Sequence, residues 1–422
     1  MKEGNLSSRM GKIDSYLYSP SSILSGWFVV LLLWVAHVIY FFITSSLGVL
    51  GPVLKQDLGL SNSELGFLNS AITIGTTIVQ IPGGLYCDRY GVRKMMSLGF
   101  LLMGTFFFIF SFSASFLLAS SLLVLTGLGV GCSQVSAVKA VVDWFPFKGR
   151  ATAMGVKQTG VNVGGILSSS LFPLLILLYP WSLVTKWSSL VALAFAVLFY
   201  FFYRDSPHAQ TSFSSNVHSK DILAYLRNLE FVLITLSGIF LMAVQFSFST
   251  YVVLYLNQTL HYSIKQSGVF LALSFGTGAF ARVGWSLGSD YLLKNRESAL
   301  ILIGGLGASV LVILSLITRS SPAWLIYFLS ALFGVMGMGW NAIWITLAGE
   351  RSLKESPGLG IGLSFFISSF GAILGPPFFG FLVDLSDSFL WSWLFLALCM
   401  IMVSILAFWI MYKARKNLAK AI

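Results

Sequence analysis

The sequence predicts an all-α membrane protein with twelve transmembrane helices in two parallel six-helix repeats, and three observations carry that prediction. Hydrophobic residues make up 56% of the 422 and charged residues only 10%, against roughly a quarter charged in a soluble domain. Apolar runs of about 20 residues, each long enough to cross a hydrocarbon core of about 30 Å, recur along the whole chain. Stretches of the second half also repeat stretches of the first, in the same order.

Taken in chain order, residues 1–26 are polar and form an N-terminal tail. The first apolar run is too long, and lacks the small-residue cleavage site, to be a signal peptide, so no processing is expected. Spans then fall near 27–50, 64–87, 95–117, 119–142, 151–178 and 182–203, giving an N-terminal bundle over 27–203. The Ser-rich segment 204–228, including "RDSPHAQTSFSSNVHSKD", reads as a linker. Spans near 229–256, 266–289, 298–318, 323–349, 357–383 and 389–412 make a C-terminal bundle over 229–412, followed by a short tail, 413–422.

Orientation follows from Lys and Arg in the short loops. With the N-terminus inside, the outer loops hold only Lys55, Lys186, Lys265 and Arg319, and Lys139, Lys157 and Arg282 lie inside spans. The rest of the 26 Lys and Arg fall on the inner side, so both termini are expected to be cytoplasmic and the protein a multi-pass component of the cell (inner or plasma) membrane. The net charge of +11 is then topology and attraction to anionic lipid heads, with no nucleic-acid partner implied. Cys87, Cys132 and Cys399 show no paired spacing, which argues against disulfides and metal sites.

The repeats align Gly155 with Gly362 and Gly164 with Gly371, so spans five and eleven read as copies. Span two matches span eight through Gly66 with Gly268 and Asp88 with Asp290, and span four matches span ten through Gly127 with Gly334 and Asp143 with Glu350. Internal symmetry of this kind marks secondary transporters, whose substrate site lies near the midplane between the repeats.

The loop "GGLYCDRYGVRK" after span two concentrates charge between apolar runs. Gly84, Asp88, Arg89, Gly91, Arg93 and Lys94 fit the pattern G-x-x-x-D-R-x-G-R-[RK], and the loop resembles the signature of the major facilitator superfamily; "SLGSDYLLKNRE" after span eight resembles its decayed second copy, keeping Asp290. The physical need is a tight turn at Gly91 and cations that hold the loop on the inner side. The resemblance implies that Asp88 is held at a helix end of the other half when the protein faces outward. "DWFPFKGRATAMG" is similar to a W-F-P turn of organic-anion branches, with Pro146 ending the helix.

Ionisable groups inside the hydrocarbon cost roughly 2.5–3.5 kcal/mol or more, so each is read as facing a cavity or a partner. No carboxylate lies near mid-membrane; Asp143 and Glu350 are the innermost. Uncompensated cations suit an anionic substrate. Arg282 is the leading candidate, because its planar fork matches a carboxylate and because it resembles the span-eight arginine of monocarboxylate and oxalate–formate branches. Lys157, Gln158 and Asn162 form a polar strip on span five, where the alternative is glycine-permitted packing. Lys139 stands one turn before Asp143 and reads as a gate or structural pair. His37, with an ordinary pKa of about 6.5, can bind substrate, carry a proton or simply pack. Gln134, Gln245 and Asn341 add polar contacts on helices that line the cavity in the resembled family.

"GLGVGCSQ" follows no strand and opens no phosphate cradle, and catalytic motifs are missing, so no enzyme and no cofactor is expected. The reading is a monomeric secondary transporter of a small organic anion, working as an antiporter or a proton-coupled symporter with a counter-anion or protons as coupling partner. The alternatives are a proton-coupled exporter of amphiphiles and a non-transporting sensor.

Overall fold

The computed structural model describes residues 20–145, 147–206, 219–293, 295–353 and 357–421. Most of the predicted N-terminal tail, residues 207–218 of the predicted linker, Pro146 of the predicted turn and Lys294 lie outside the described residues.

The chain is all helical among the described residues. The first half supplies α1 (Pro20–Asp57), α2 (Asn62–Tyr90), α3 (Val92–Phe110), α4 (Phe116–Trp144), α5 (Phe147–Leu175) and α6 (Trp181–Phe202). A short α7 (Ser219–Arg227) precedes α8 (Leu229–Gln258). Next come α9 (Ile264–Leu287), which runs on as a π turn over Gly288–Leu292, and α10 (Arg296–Ser315). The tenth rod is broken into α11 (Ala323–Phe333), a π turn over Gly334–Met338 and α12 (Asn341–Glu350). The last two are α13 (Pro357–Ser386) and α14 (Leu390–Ala421).

Local sequence explains the boundaries. Ser61 with Glu64, and Ser263 with Gln266, form capping boxes that start α2 and α9, each satisfying two otherwise orphaned N–H groups. Gly91 takes φ +83 between α2 and α3, a backbone that an L side chain adopts only with strain. The tight turn expected there is present.

Among the described residues ten helical rods are long and apolar enough to cross a membrane, against the twelve expected. The two that fall short are α5 and α9, whose polar content includes Lys157 and Arg282. Both are as long as their neighbours, at 29 and 24 residues, so their deficit is in composition and not in reach.

Helix packing accounts for the glycines that the repeats share. Gly164 of α5 lies against the Val38 carbonyl of α1, and its mate Gly371 of α13 lies against the Ile239 carbonyl of α8. Gly127 of α4 meets the Ile72 carbonyl of α2, as Gly334 meets the Ser274 carbonyl of α9. Gly66 of α2 meets the Pro376 carbonyl of α13, as Gly268 of α9 meets the Ser169 carbonyl of α5. Where lipid gives helices no hydrophobic reason to associate, close backbone approach at small residues supplies the packing energy. The first two pairings hold each bundle together, and the third joins the bundles.

Candidate functional site

The two bundles meet along α1 with α8, α2 with α13 and α5 with α9. One end of this seam is sealed. There the Asp384 carboxylate of α13 accepts from the Asn62 backbone (2.9 Å), the Asn62 side chain (2.7 Å), the Ser63 backbone (2.8 Å) and the Ser63 hydroxyl. Tyr251 of α8 donates to the carbonyls of Asn62 (2.6 Å) and Pro376 (3.0 Å). Lys55 adds a bond to the Asn62 side-chain oxygen at 2.6 Å.

At the other end, which carries the Gly84–Lys94 loop, each half keeps its charges to itself. Lys139 bridges Asp88 (2.9 Å) and Asp143 (3.5 Å) within the first bundle. Arg296 bridges Asp290 (3.2 Å) and Glu350 (2.6 Å) in the second, so the aligned acids Asp88/Asp290 and Asp143/Glu350 are each joined by one cation. Arg351 pairs with Glu230 and Glu297 beside them. The described ion pair of Asp88 is thus to its own bundle and not to the other half in this structure. Arg89 and Arg93 lie over Tyr90 and Tyr200, and the Arg93 backbone N–H donates to Asp205 at 3.2 Å. These described contacts are all within the first half of the chain.

Midway along the seam Phe275 of α9 packs edge-on against Phe41 of α1 (5.7 Å between ring centres) and over Gly165 of α5. Two helical turns from these contacts toward the open end, on the same faces, stand Gln158 of α5 and Arg282 of α9. Seven residues correspond to about 10 Å of rise. Gln158 is exposed. Asn162, one turn deeper, is buried.

Lys157 and His37 are both 3% exposed. The His37 Nδ1 lies 2.8 Å from the Leu33 carbonyl, an oxygen that can only accept, so Nδ1 carries the proton. Its Nε2, 3.2 Å from the Lys157 ammonium, is then the acceptor of that bond. One turn along α1, Tyr40 stands edge-on to the His37 ring at 5.2 Å. Its hydroxyl meets the Gln134 side chain and faces the Arg282 guanidinium across the seam.

Arg282 also donates through Nε to the Met338 carbonyl at 3.4 Å. That carbonyl belongs to the π turn and break at "GVMGMGW", where the regular α-helical bond pattern is interrupted. No carboxylate among the described residues lies within ion-pairing distance of Arg282 or Lys157.

Lys157, His37 and Arg282 are thus linked through Tyr40 across α5, α1 and α9, while Gln158 and Asn162 stand on α5 next to and just over one turn beyond Lys157. Gln245 is set apart: its side-chain oxygen is taken by the Trp340 indole N–H at 2.9 Å. Asn341 follows that tryptophan at the start of α12 and is half-buried. Sequence reasoning missed Tyr40, although its three-residue spacing from His37 places both on one helix face. It also missed the Met338 carbonyl, whose signal was the glycine cluster Gly334, Gly337 and Gly339.

A sequence profile for the Major Facilitator Superfamily matches residues 33–367. The chain belongs to this superfamily. Among its relatives in the superfamily is the hexuronate transporter of Bacillus subtilis (strain 168), 25% identical over 86% of this chain and 89% of that protein. A probable L-galactonate transporter of Escherichia coli (strain K12) is 26% identical over 85% of this chain and 83% of its own. In fold, a bacterial homologue of the human lysosomal transporter Spinster, solved inward-facing and unoccupied, superposes with a TM-score of 0.78 at 14% identity, covering 92% of this chain and 97% of that one.

Proposed function

We propose that the protein is a secondary active transporter that carries a small organic anion of carboxylate type by alternating access. One observation carries this reading: two cations, Arg282 at the inter-bundle seam and the buried Lys157, connected through His37 and Tyr40, have no carboxylate partner among the described residues. Unpaired charge at membrane depth is costly, and a bound anion supplies the missing counter-charge. The planar Arg282 fork, already anchored through Nε, presents its remaining N–H groups to a carboxylate. Gln158 and Asn162 offer hydrogen bonds to hydroxyls on the same solute. The sugar-acid relatives support this substrate class.

The positive-inside rule puts the Gly84–Lys94 end and both termini in the cytoplasm, so this state is open inward. Twelve spans, a cell-membrane location and a monomer complete the proposal, with α5 and α9 crossing by virtue of burial between the bundles. Asp88, released here, reaches a helix end of the second bundle when the inner side closes. Exporters of cationic drugs need a deep acid, which the described spans do not offer.

The test is uptake of radiolabelled glucuronate and galactonate into proteoliposomes. Arg282→Gln removes one side of a desolvated charge pair, worth about 2–5 kcal/mol, and lowers kcat/KM by at least about 30-fold. Unchanged uptake by correctly inserted Arg282→Gln protein rejects the site.

A further inference from the structure

Lys157 and His37 pose a problem of charge bookkeeping that the anion alone does not resolve. The Nδ1 proton of His37 is fixed on Leu33, and its only remaining lone pair, on Nε2, is occupied by the Lys157 ammonium. In this arrangement the imidazole is neutral, and a second proton on Nε2 would set two positive charges 3.2 Å apart with no acid nearby. Of the helices packed on α1, α5 supplies Lys157 to the imidazole, while Arg282 of α9 acts on Tyr40; among the described residues α2, α4, α6 and α8 present no titratable group to His37.

We propose that His37 is the proton-coupling residue, and that the bound anion switches it on by drawing Lys157 away. A carboxylate held by Arg282 attracts the Lys157 ammonium, whose four-carbon stem lets it swing from Nε2 to the incoming oxygen. Nε2 then has a free lone pair beside a negative charge. It takes a proton from water at the open end, forming one N–H bond and an imidazolium that donates toward the anion. One anion and one proton enter together, with no covalent bond to substrate and no redox change. On transfer the steps reverse: proton loss lets Lys157 return to Nε2 and weakens the anion's hold. The site thereby excludes the slip state in which His37 is protonated and the substrate absent, because Lys157 and the proton compete for one lone pair.

This inference rests on the anion-transport reading, and its test separates the two. Calorimetry of glucuronate binding to the purified full-length protein near neutral pH, repeated in buffers of different ionisation enthalpy, counts the protons taken up. Glucuronate stays ionised there, so any proton counted belongs to the protein. The expected number is about one per anion, and by linkage the affinity rises up to about tenfold per pH unit of acidification. His37→Gln, which still accepts from Lys157 but binds no proton, brings the number to zero.

Spectra of 15N-histidine in the wild type give a reading independent of any variant, since the chain has only four histidines. One of them changes from a neutral Nδ1–H ring to an imidazolium when glucuronate is added. Binding with no proton uptake, full uptake in His37→Gln, or no histidine changing form overturns the coupling proposal while leaving anion transport standing. Failure of glucuronate, galactonate and other carboxylates to bind at all overturns both.

Discussion

The two ends of the seam are held by different chemistry. At the sealed end, one carboxylate, Asp384, caps the first turn of a helix in the opposite bundle, and Tyr251 and Gly66 bring α2, α8 and α13 to backbone contact. At the open end, acids and cations are abundant but every described ion pair closes within its own half. The charges thus stiffen each bundle as a body, and the few inter-bundle bonds at the sealed end decide which way the bodies lean. A carrier of this kind needs two states within a few kcal/mol of each other. A small number of breakable contacts on rigid bodies provides that.

The largest departure is expected from Asp384→Ala. It removes an ionised acceptor of four hydrogen bonds from Asn62 and Ser63 across the seam, while the Ser61–Glu64 capping box of α2 stays in place; charge-assisted bonds of this kind contribute about 1.5–3 kcal/mol each. The population open at that end then rises at least about tenfold. Spin labels at Tyr179→Cys and Lys265→Cys, both exposed at the sealed end on opposite bundles, read this as a longer inter-label distance. An unchanged distance distribution would show that the glycine contacts alone hold the seam. Gly66→Val is the next largest: its added carbons meet the Pro376 carbonyl and the Tyr251 hydroxyl, overpacking by about 1–3 kcal/mol in the same direction. The same label pair reports it.

Much of this architecture is legible in sequence because lipid imposes it. Span length, the inner-side bias of Lys and Arg and the aligned glycines each answer a single physical demand, and Gly164/Gly371 and Gly66/Gly268 indeed occupy equivalent contacts. Arg282 and Lys157 are conspicuous for the same reason, being charges where charge is costly. The two helices that fall short of the apolar criterion, α5 and α9, were read as spans from the sequence, and they carry Lys157 and Arg282. The 3.2 Å bond between His37 and Lys157 joins residues 120 apart in sequence, and no periodicity encodes such a pairing. The role of Gln245 was likewise hidden, since Trp340, 95 residues away, claims its oxygen. The break at Gly334–Met338 exposes a carbonyl through backbone geometry, which side-chain patterns report only as a surplus of glycine.

The smallest effect is expected at the open end. Asp88→Asn cuts one arm of the Lys139 bridge, between side chains 16% and 18% exposed, so water screens much of the interaction and the loss in this state is about 0–1 kcal/mol. Asp143 still holds Lys139, so the α4 end stays in place. Thermal unfolding of the purified protein should therefore shift by at most a few degrees. The distance between the Tyr179/Lys265 labels should not change, because among the described residues the ion pair of Asp88 lies within its own bundle. If Asp88 serves as the latch when the inner side closes, its removal acts only on the other state. Uptake then slows while the structure described here is favoured further, the opposite sign from Asp384→Ala. A Tm loss as large as that of Gly66→Val would mean that Asp88 is a structural strut of the first bundle and that the division of labour between the two ends is wrong.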